Sequence, residues 1–221
     1  RLRIDIMNDS DFVCLGKKLC SKLSIVLKNE AVTSVRLVCT PEKMVLEETK
    51  RSYMYLSLFS YNTDGIYINR ILPEDMNNSF FEGWKKLQGE YIDECEQIFH
   101  NIYMVKLPWF SCDMNGLEAI GRMKAFLPEE NMFLSVDPTK DNETYTAVDD
   151  GYVFSLNIPF ASLSDVEVSR NKMDLIISTG EFRRCIPLPN VLCRMDISGK
   201  EISDGCLKVR FLRPEGFGDL T

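Results

Sequence analysis

The sequence predicts an α/β chain in two parts, a domain built on a parallel sheet followed by a small antiparallel β-sandwich. Three observations predict it. Strand-like and helix-like periods alternate through the first 127 residues, the pattern of parallel strands joined by helical crossovers. The stretch PEENMFLSVDPTKDNETYTAVDDG, 128 to 151, is polar and rich in turn residues, which fits an exposed connection. Beyond it the apolar period becomes two, in short strands separated by tight turns.

Each element follows from local patterning. Phe12, Leu15, Leu19, Leu23 and Val26 fall at helical spacing behind Asp9 and Ser10, which predicts an amphipathic helix from Ser10 to Leu27. VTSVRLVC, 32 to 39, is β-branched and almost continuously apolar, as a strand covered on both faces would be. Thr40 is expected to cap the next helix, with Pro41 in its first position, and the helix should run to about Phe59 with Val45, Tyr53, Leu56 and Phe59 on one face. A second strand, GIYINRIL, precedes a helix that opens with the capping box Ser79 and Glu82 and carries the apolar stripe Phe80, Trp84, Leu87 and Tyr91. IYMVKLP, 102 to 108, is the third strand and leads through WFSCDMN to the helix GLEAIGRMKAFL.

In the last third, Tyr152, Phe154, Leu156 and Ile158 alternate with Val153, Ser155 and Asn157. DVEVSR, MDLIIST and FRRCIPL follow with turns at NK and GE, and GCLKVRF closes the series with Leu207, Val209 and Phe211 on one face.

Bulk properties narrow the function classes. With 45% hydrophobic and 27% charged residues in 221, the chain has enough apolar material for a real core. A net charge of -7 with no basic block argues against nucleic acid as a partner. No apolar run approaches the roughly 18 residues of a membrane span, and RLRIDIMNDSD lacks the core of a signal peptide, so a cytoplasmic protein without a membrane span is expected. Eight scattered cysteines form no CxxC pair, and the single histidine, His100, completes no usual zinc set, so no metal ligand is assigned. The cysteines, Cys39 and Cys112 among them, are expected to be mostly buried thiols. The methionines Met44, Met54, Met104, Met114 and Met123 are read first as core and second as a flexible client groove. The start at Arg1 rather than methionine is that expected of a fragment or a processed product.

One polar pair stands out. Asn69 and Arg70 lie near the carboxyl end of the second strand, and Pro108 and Trp109 at that of the third, so neighbouring strands would present them to one crevice, where parallel sheets bind ligands. Alternatively, Asn69 caps a loop and Arg70 pairs with Glu74 or Asp75.

TSVRLVCTPEKMVLEETKRSYMYLSLF, GIYINRILPED, a helix containing Trp84 and Gln88, and VKLPWFSCDMNGLEAIGRM together resemble the second half of the ArsA-type ATPases, the family of arsenite-pump and tail-anchored-protein-targeting ATPases. The stretch from YVFSLNIPF to CLKVRF is similar to the alpha-crystallin-like, small heat-shock domain that closes many bacterial members. The resemblance implies a parallel-sheet P-loop NTPase-type domain in part (1–133), a linker (134–150), the alpha-crystallin-like sandwich (151–213) and a tail (214–221). It implies that Asn69 hydrogen-bonds the adenine edge of ATP and that Pro108 with Leu107 and Trp109 lines the base. An amide suits adenine because it both donates and accepts. EETKR, 47 to 51, and Asp113 match family patterns too, with packing as their expected role.

Departures from the family pattern set limits. No GxxxxGK[ST] phosphate loop occurs, so no catalytic residue is assigned; this chain alone should not hydrolyse ATP, and Mg2+ would come with an N-terminal half outside the sequence. PEDMNNSFFEGW holds no cysteine where the family's zinc clasp falls, which argues against a zinc-clasped dimer; a homodimer stays a candidate, and the sequence does not fix the oligomeric state. The leading expectation is the C-terminal part of a cytosolic ArsA-family ATPase that couples ATP to handling of an anion or a hydrophobic protein client, with a membrane pump subunit as a candidate partner. The alternative is a non-enzymatic, chaperone-like module that binds clients through the sandwich.

Overall fold

The computed structural model of the chain describes residues 22–76, 78–127 and 142–213. Most of the helix expected from Ser10 lies outside the described residues; residues 22–27 are helical.

β1 (Val35–Cys39), β2 (Thr63–Ile71) and β3 (Tyr103–Pro108) form a parallel sheet in the order β1-β2-β3. Two helices, α1 (Lys43–Leu58) and α2 (Ser79–Ile98), make the crossovers, and α3 (Gly116–Met123) follows β3. Alternation along β2 separates two cores. Ile66 and Ile68 face Leu46 of α1 and Ile92, Cys95 and Phe99 from α2 and its end. Tyr67 faces the other way and packs with Val105, Leu107, Met123 and Leu127.

Three local expectations are corrected. Among the described residues β1 lies at one edge of its sheet and Val38 is 66% exposed, so one face of the strand is open there. α1 begins at Lys43 behind Glu42; the Thr40 hydroxyl bonds the Glu42 carboxylate instead of capping the helix, and Pro41 precedes it. α2 is capped by Asn78, whose Oδ1 accepts from the Phe80 N–H at 2.9 Å, one residue before the expected Ser79 box. The buried face of α2 is also its second half: Phe80 and Trp84 are exposed, because the sheet's carboxyl edge stops short of them.

The remaining strands form two antiparallel sheets. One has the order β4-β5-β10-β9, from Glu143–Val148, Gly151–Asn157, Cys206–Leu212 and Asp196–Ser203, and the other β6-β7-β8, from Val166–Asn171, Asp174–Thr179 and Phe182–Pro187. Their inner faces bury Phe154, Leu156, Ile158, Leu175, Ile177, Leu207, Val209 and Phe211. β4 lies inside the stretch read as a connection. Its residues are mostly exposed, so pairing with β5 holds it rather than an apolar face.

α1 belongs to both parts. Val45, Leu46 and Tyr53 pack on the parallel sheet, whereas Met54, Leu58 and Phe59 pack into the sandwich core. Tyr53, Phe99 and Phe160 meet in edge-on or tilted pairs at 5.5 to 6.2 Å, joining α1, the end of α2 and the loop after β5. The helix ends with Tyr61 N–H bonded to the Leu56 carbonyl and Ser60, at φ 54°, bonded to that of Ser57, which leaves the Leu58 carbonyl without a helical donor. Arg184 supplies one. Its Nη1 donates to Leu58 O at 2.6 Å and Ser60 Oγ at 2.9 Å, and its Nη2 to Glu143 Oε2 at 2.6 Å.

Candidate functional site

At the carboxyl edge of the parallel sheet, β2 carries a bulge. Ile68 is opposite Lys106 and Ile71 opposite Pro108, so Asn69 and Arg70 together oppose the single residue Leu107. Arg70 takes φ 60°, a conformation that costs a non-glycine residue about 1 kcal/mol. Asn69 offsets part of that cost, because its Oδ1 accepts the Arg70 N–H at 2.9 Å. The bond fixes the side chain of Asn69 against its own backbone. Here lies the reason for an amide at this strand end: it satisfies a donor that the bulge removes from the ladder.

Gln88 of α2 holds the bulge from above. Its Oε1 accepts the Leu72 N–H at 2.9 Å, and its Nε2 donates to the Arg70 carbonyl at 3.4 Å. From the other side the Trp109 N–H donates to Ile71 O at 2.7 Å, fixing the end of β3 against that of β2. Sequence reasoning noted Gln88 without giving it a role. Its two-sided amide, facing the Arg70 carbonyl and the Leu72 N–H, is the chemistry that a strand terminus with unpaired backbone needs.

The four residues expected at the base therefore divide. Asn69, Pro108 and Trp109 share one edge, with Pro108 half-buried and Trp109 54% exposed. Leu107 points inward, 4% exposed, and packs with Tyr67 and Val105 beneath that edge. Arg70 is exposed and, among the described residues, makes no ion pair with Glu74 or Asp75. Its place is set by its backbone.

The surroundings are ordered by charge pairs. In the EETKR stretch, Lys50 reaches Glu47 at 2.9 Å and Glu94 of α2 at 2.8 Å, tying α1 to α2. Burial alone would lower the Lys50 pKa, but the bonds to Glu94 and Glu47 outweigh it and raise it. Arg36 of β1 bonds Asp64 at the start of β2 at 3.1 Å, and that bond raises the Arg36 pKa.

Of the residues flagged for other roles, Met54, Met104 and Met123 pack into cores and Met44 is exposed. Cys39 is buried as expected; Cys112 is exposed, its sulfur 3.5 Å from Arg122 Nη1, which corrects the reading of it as a core thiol. Among the described residues no group of three or more His, Cys, Asp or Glu is arranged to hold a metal, and no helix is long and apolar enough to cross a membrane.

Comparison with known proteins gives this edge its family context. Residues 15–129, just over half of the chain, match the family described as anion-transporting ATPase, and residues 149–211 match the HSP20-like domain found in ArsA. The chain is 28% identical over 179 residues to a protein of Aquifex aeolicus named as an arsenical pump-driving ATPase, covering 77% of this chain and 44% of the relative. A protein of Chlorobaculum tepidum with the same kind of name is 26% identical over 192 residues, 85% of this chain and 45% of the relative. ATPase GET3 of Debaryomyces hansenii is 29% identical over 116 residues, 50% of this chain and 33% of the relative. The chain thus spans less than half the length of these relatives. With a parallel α/β part in one matched segment and an antiparallel sandwich in the other, the chain belongs to the anion-transporting ATPase family and carries the HSP20-like domain of its ArsA members.

Proposed function

We propose that the chain supplies the adenine-facing half of an ATP site, in an ATPase whose phosphate-binding loop lies outside these 221 residues. One observation carries the proposal: the bulge at Asn69 fixes an amide at the carboxyl edge of a parallel sheet, next to a proline and a half-exposed tryptophan on the neighbouring strand. Oδ1 of Asn69 already accepts one backbone hydrogen, so Nδ2 is the group that donates to a ring nitrogen, while the second lone pair of Oδ1 accepts from the exocyclic amine. Pro108 and Trp109 offer apolar surface to the base, and Leu107 supports them from beneath. The backbone held by Gln88 keeps this edge in place before the nucleotide arrives, which lowers the ordering cost of binding.

The sequence holds no GxxxxGK[ST] phosphate loop. Hydrolysis, with its Mg2+, belongs to the phosphate-loop half, and what this chain's residues do is bind and orient the base. The full protein couples that binding to handling of an anion or a hydrophobic protein segment; the arsenical pump-driving name of one relative supports the anion. The shared helix α1 connects the nucleotide domain to the small domain, whose first strand we place at Glu143.

Amide chemical shifts of the chain titrated with ATP and with GTP test the site. Shifts at Asn69–Leu72 and at Trp109, larger for ATP than for GTP, support it; equal or absent shifts there at millimolar nucleotide refute it. A client-binding role without nucleotide is the second reading; the exposed Phe80 and Trp84 offer apolar surface for it on α2 rather than on the sandwich first expected to bind clients, and it predicts client capture that ATP leaves unchanged.

A further inference from the structure

Cys39 ends β1 and Cys95 sits on the buried face of α2; the two are 4% and 2% exposed and belong to one core cluster. Together with Thr40, Pro41, Leu46, Ile68 and Tyr91 they line a void of about 10 Å³, near the size that holds one water molecule. We propose that Cys39 and Cys95 form a redox-active dithiol, which a peroxide converts to a disulfide bridging β1 and α2.

Burial and the contact between them give the two sulfurs different parts. Cys39 accepts a hydrogen bond from the Cys95 thiol, which draws the Cys39 pKa down although burial opposes the shift. Cys95, as the donor, is pushed up by that same bond and by burial. The Thr49 hydroxyl lies against the Cys39 sulfur too, but its one proton goes to the Val45 carbonyl at 2.7 Å, so Cys95 provides the bond that matters. Cys39 is therefore the nucleophile and Cys95 the resolving thiol.

The chemistry balances with hydrogen peroxide as the oxidant. The Cys39 thiolate attacks one peroxide oxygen, the O–O bond breaks, and hydroxide leaves and is protonated, which places a sulfenic acid on Cys39. Cys95 loses its proton and attacks the Cys39 sulfur; the S–O bond breaks and a second water leaves. Two thiols and one peroxide become one disulfide and two waters, with two electrons passed from sulfur to oxygen. Gln88, which holds the Asn69 bulge, is seven residues before Cys95 and on the same face of α2, so the bridge fixes the helix that positions the strand end.

The test needs no variant to begin. The folded chain is treated with hydrogen peroxide, remaining thiols are alkylated, and the digest is mapped by mass. The expected result is a dominant linked pair of the peptides holding Cys39 and Cys95, two hydrogens lighter than the free peptides, reversed by a dithiol reductant. The link persists when Cys112 and Cys185 are changed to Ser and is lost in Cys95→Ser, where Cys39 accumulates as sulfenic acid. Recovery of Cys39 and Cys95 as alkylated thiols while Cys112 or Cys185 is oxidised overturns the proposal. So does pairing of either with any other cysteine.

Discussion

The guanidinium of Arg184, on the middle of β8, closes the C-terminus of α1 by donating to the carbonyl of Leu58 at 2.6 Å. The two residues are 126 positions apart. The same side chain pairs with Glu143 of β4, so one arginine links the shared helix to both sheets of the sandwich. A charge inside a β-sandwich is costly unless fully bonded, and the bonds to Leu58, Ser60 and Glu143 satisfy it.

Replacing Arg184 with Ala should destabilise the chain by about 2 to 4 kcal/mol, because it leaves the Leu58 carbonyl without a donor and removes a buried side chain between the helix and the sandwich. Glu143→Gln should cost less than about 1 kcal/mol, since that side chain is 38% exposed and water replaces the partner. Urea unfolding of the two variants checks the order; equal costs would mean that the ion pair, not the helix carbonyl, dominates.

Leu58→Ala should cost about 2 to 5 kcal/mol and lower the unfolding midpoint of both parts together. Leu58 is fully buried in the sandwich core although it belongs to a helix of the parallel-sheet domain. Fluorescence of Trp84 and Trp109 reports the α/β part and far-ultraviolet dichroism the whole chain. Two separated transitions would show that the shared helix does not couple the parts.

Much of this arrangement was legible in the sequence. The period of two in Phe154, Leu156 and Ile158, and in Leu207, Val209 and Phe211, marked β5 and β10, because each strand buries one face only. The parallel sheet followed from its helical crossovers. β4 and β9 carry no such mark: ETYTAV and DISGKEIS are polar edge strands held by ladder hydrogen bonds to β5 and β10, and hydrogen-bonded backbone leaves no trace in side-chain pattern. The double allegiance of α1 was hidden for another reason. A helix with two apolar faces reads as one broad face until the second partner, 100 residues on in the chain, is placed beside it. At the candidate site the position of Asn69 was legible, but the bulge that explains it was not, since Arg70 has no glycine-like signature of a positive φ.

Gly151→Ala should be among the most damaging small substitutions. A Cβ there would stand 1.9 Å from the Phe211 carbonyl oxygen in the adjacent strand, so the β5–β10 ladder must part at that end. A loss of about 2 kcal/mol or more in chemical denaturation is expected, and a cost near zero would contradict the strand spacing.

Alkaline stability should depend on Tyr53. Burial raises its phenol pKa above the ordinary value of about 10, and a bond with Ser57 offsets this only in part. A raised folded-state value means that the contribution is complete below pH 10 and is lost as the pH climbs through that value, because the unfolded chain ionises first. Tyr53→Phe removes this ionisation, so its stability should fall less between pH 9 and about 11 than that of the parent chain. Parallel pH profiles would contradict the burial of that hydroxyl.

The central claim, that the edge at Asn69 holds adenine, is tested most directly by steady-state hydrolysis in the full product of the gene, comparing the parent with Asn69→Ala. The expected result is a KM for ATP raised about tenfold with kcat within a factor of about two, as for loss of a binding contact made equally in ground and transition states. An unchanged KM would place the base elsewhere, and leave the bulge at Asn69 as a structural end to β2 alone.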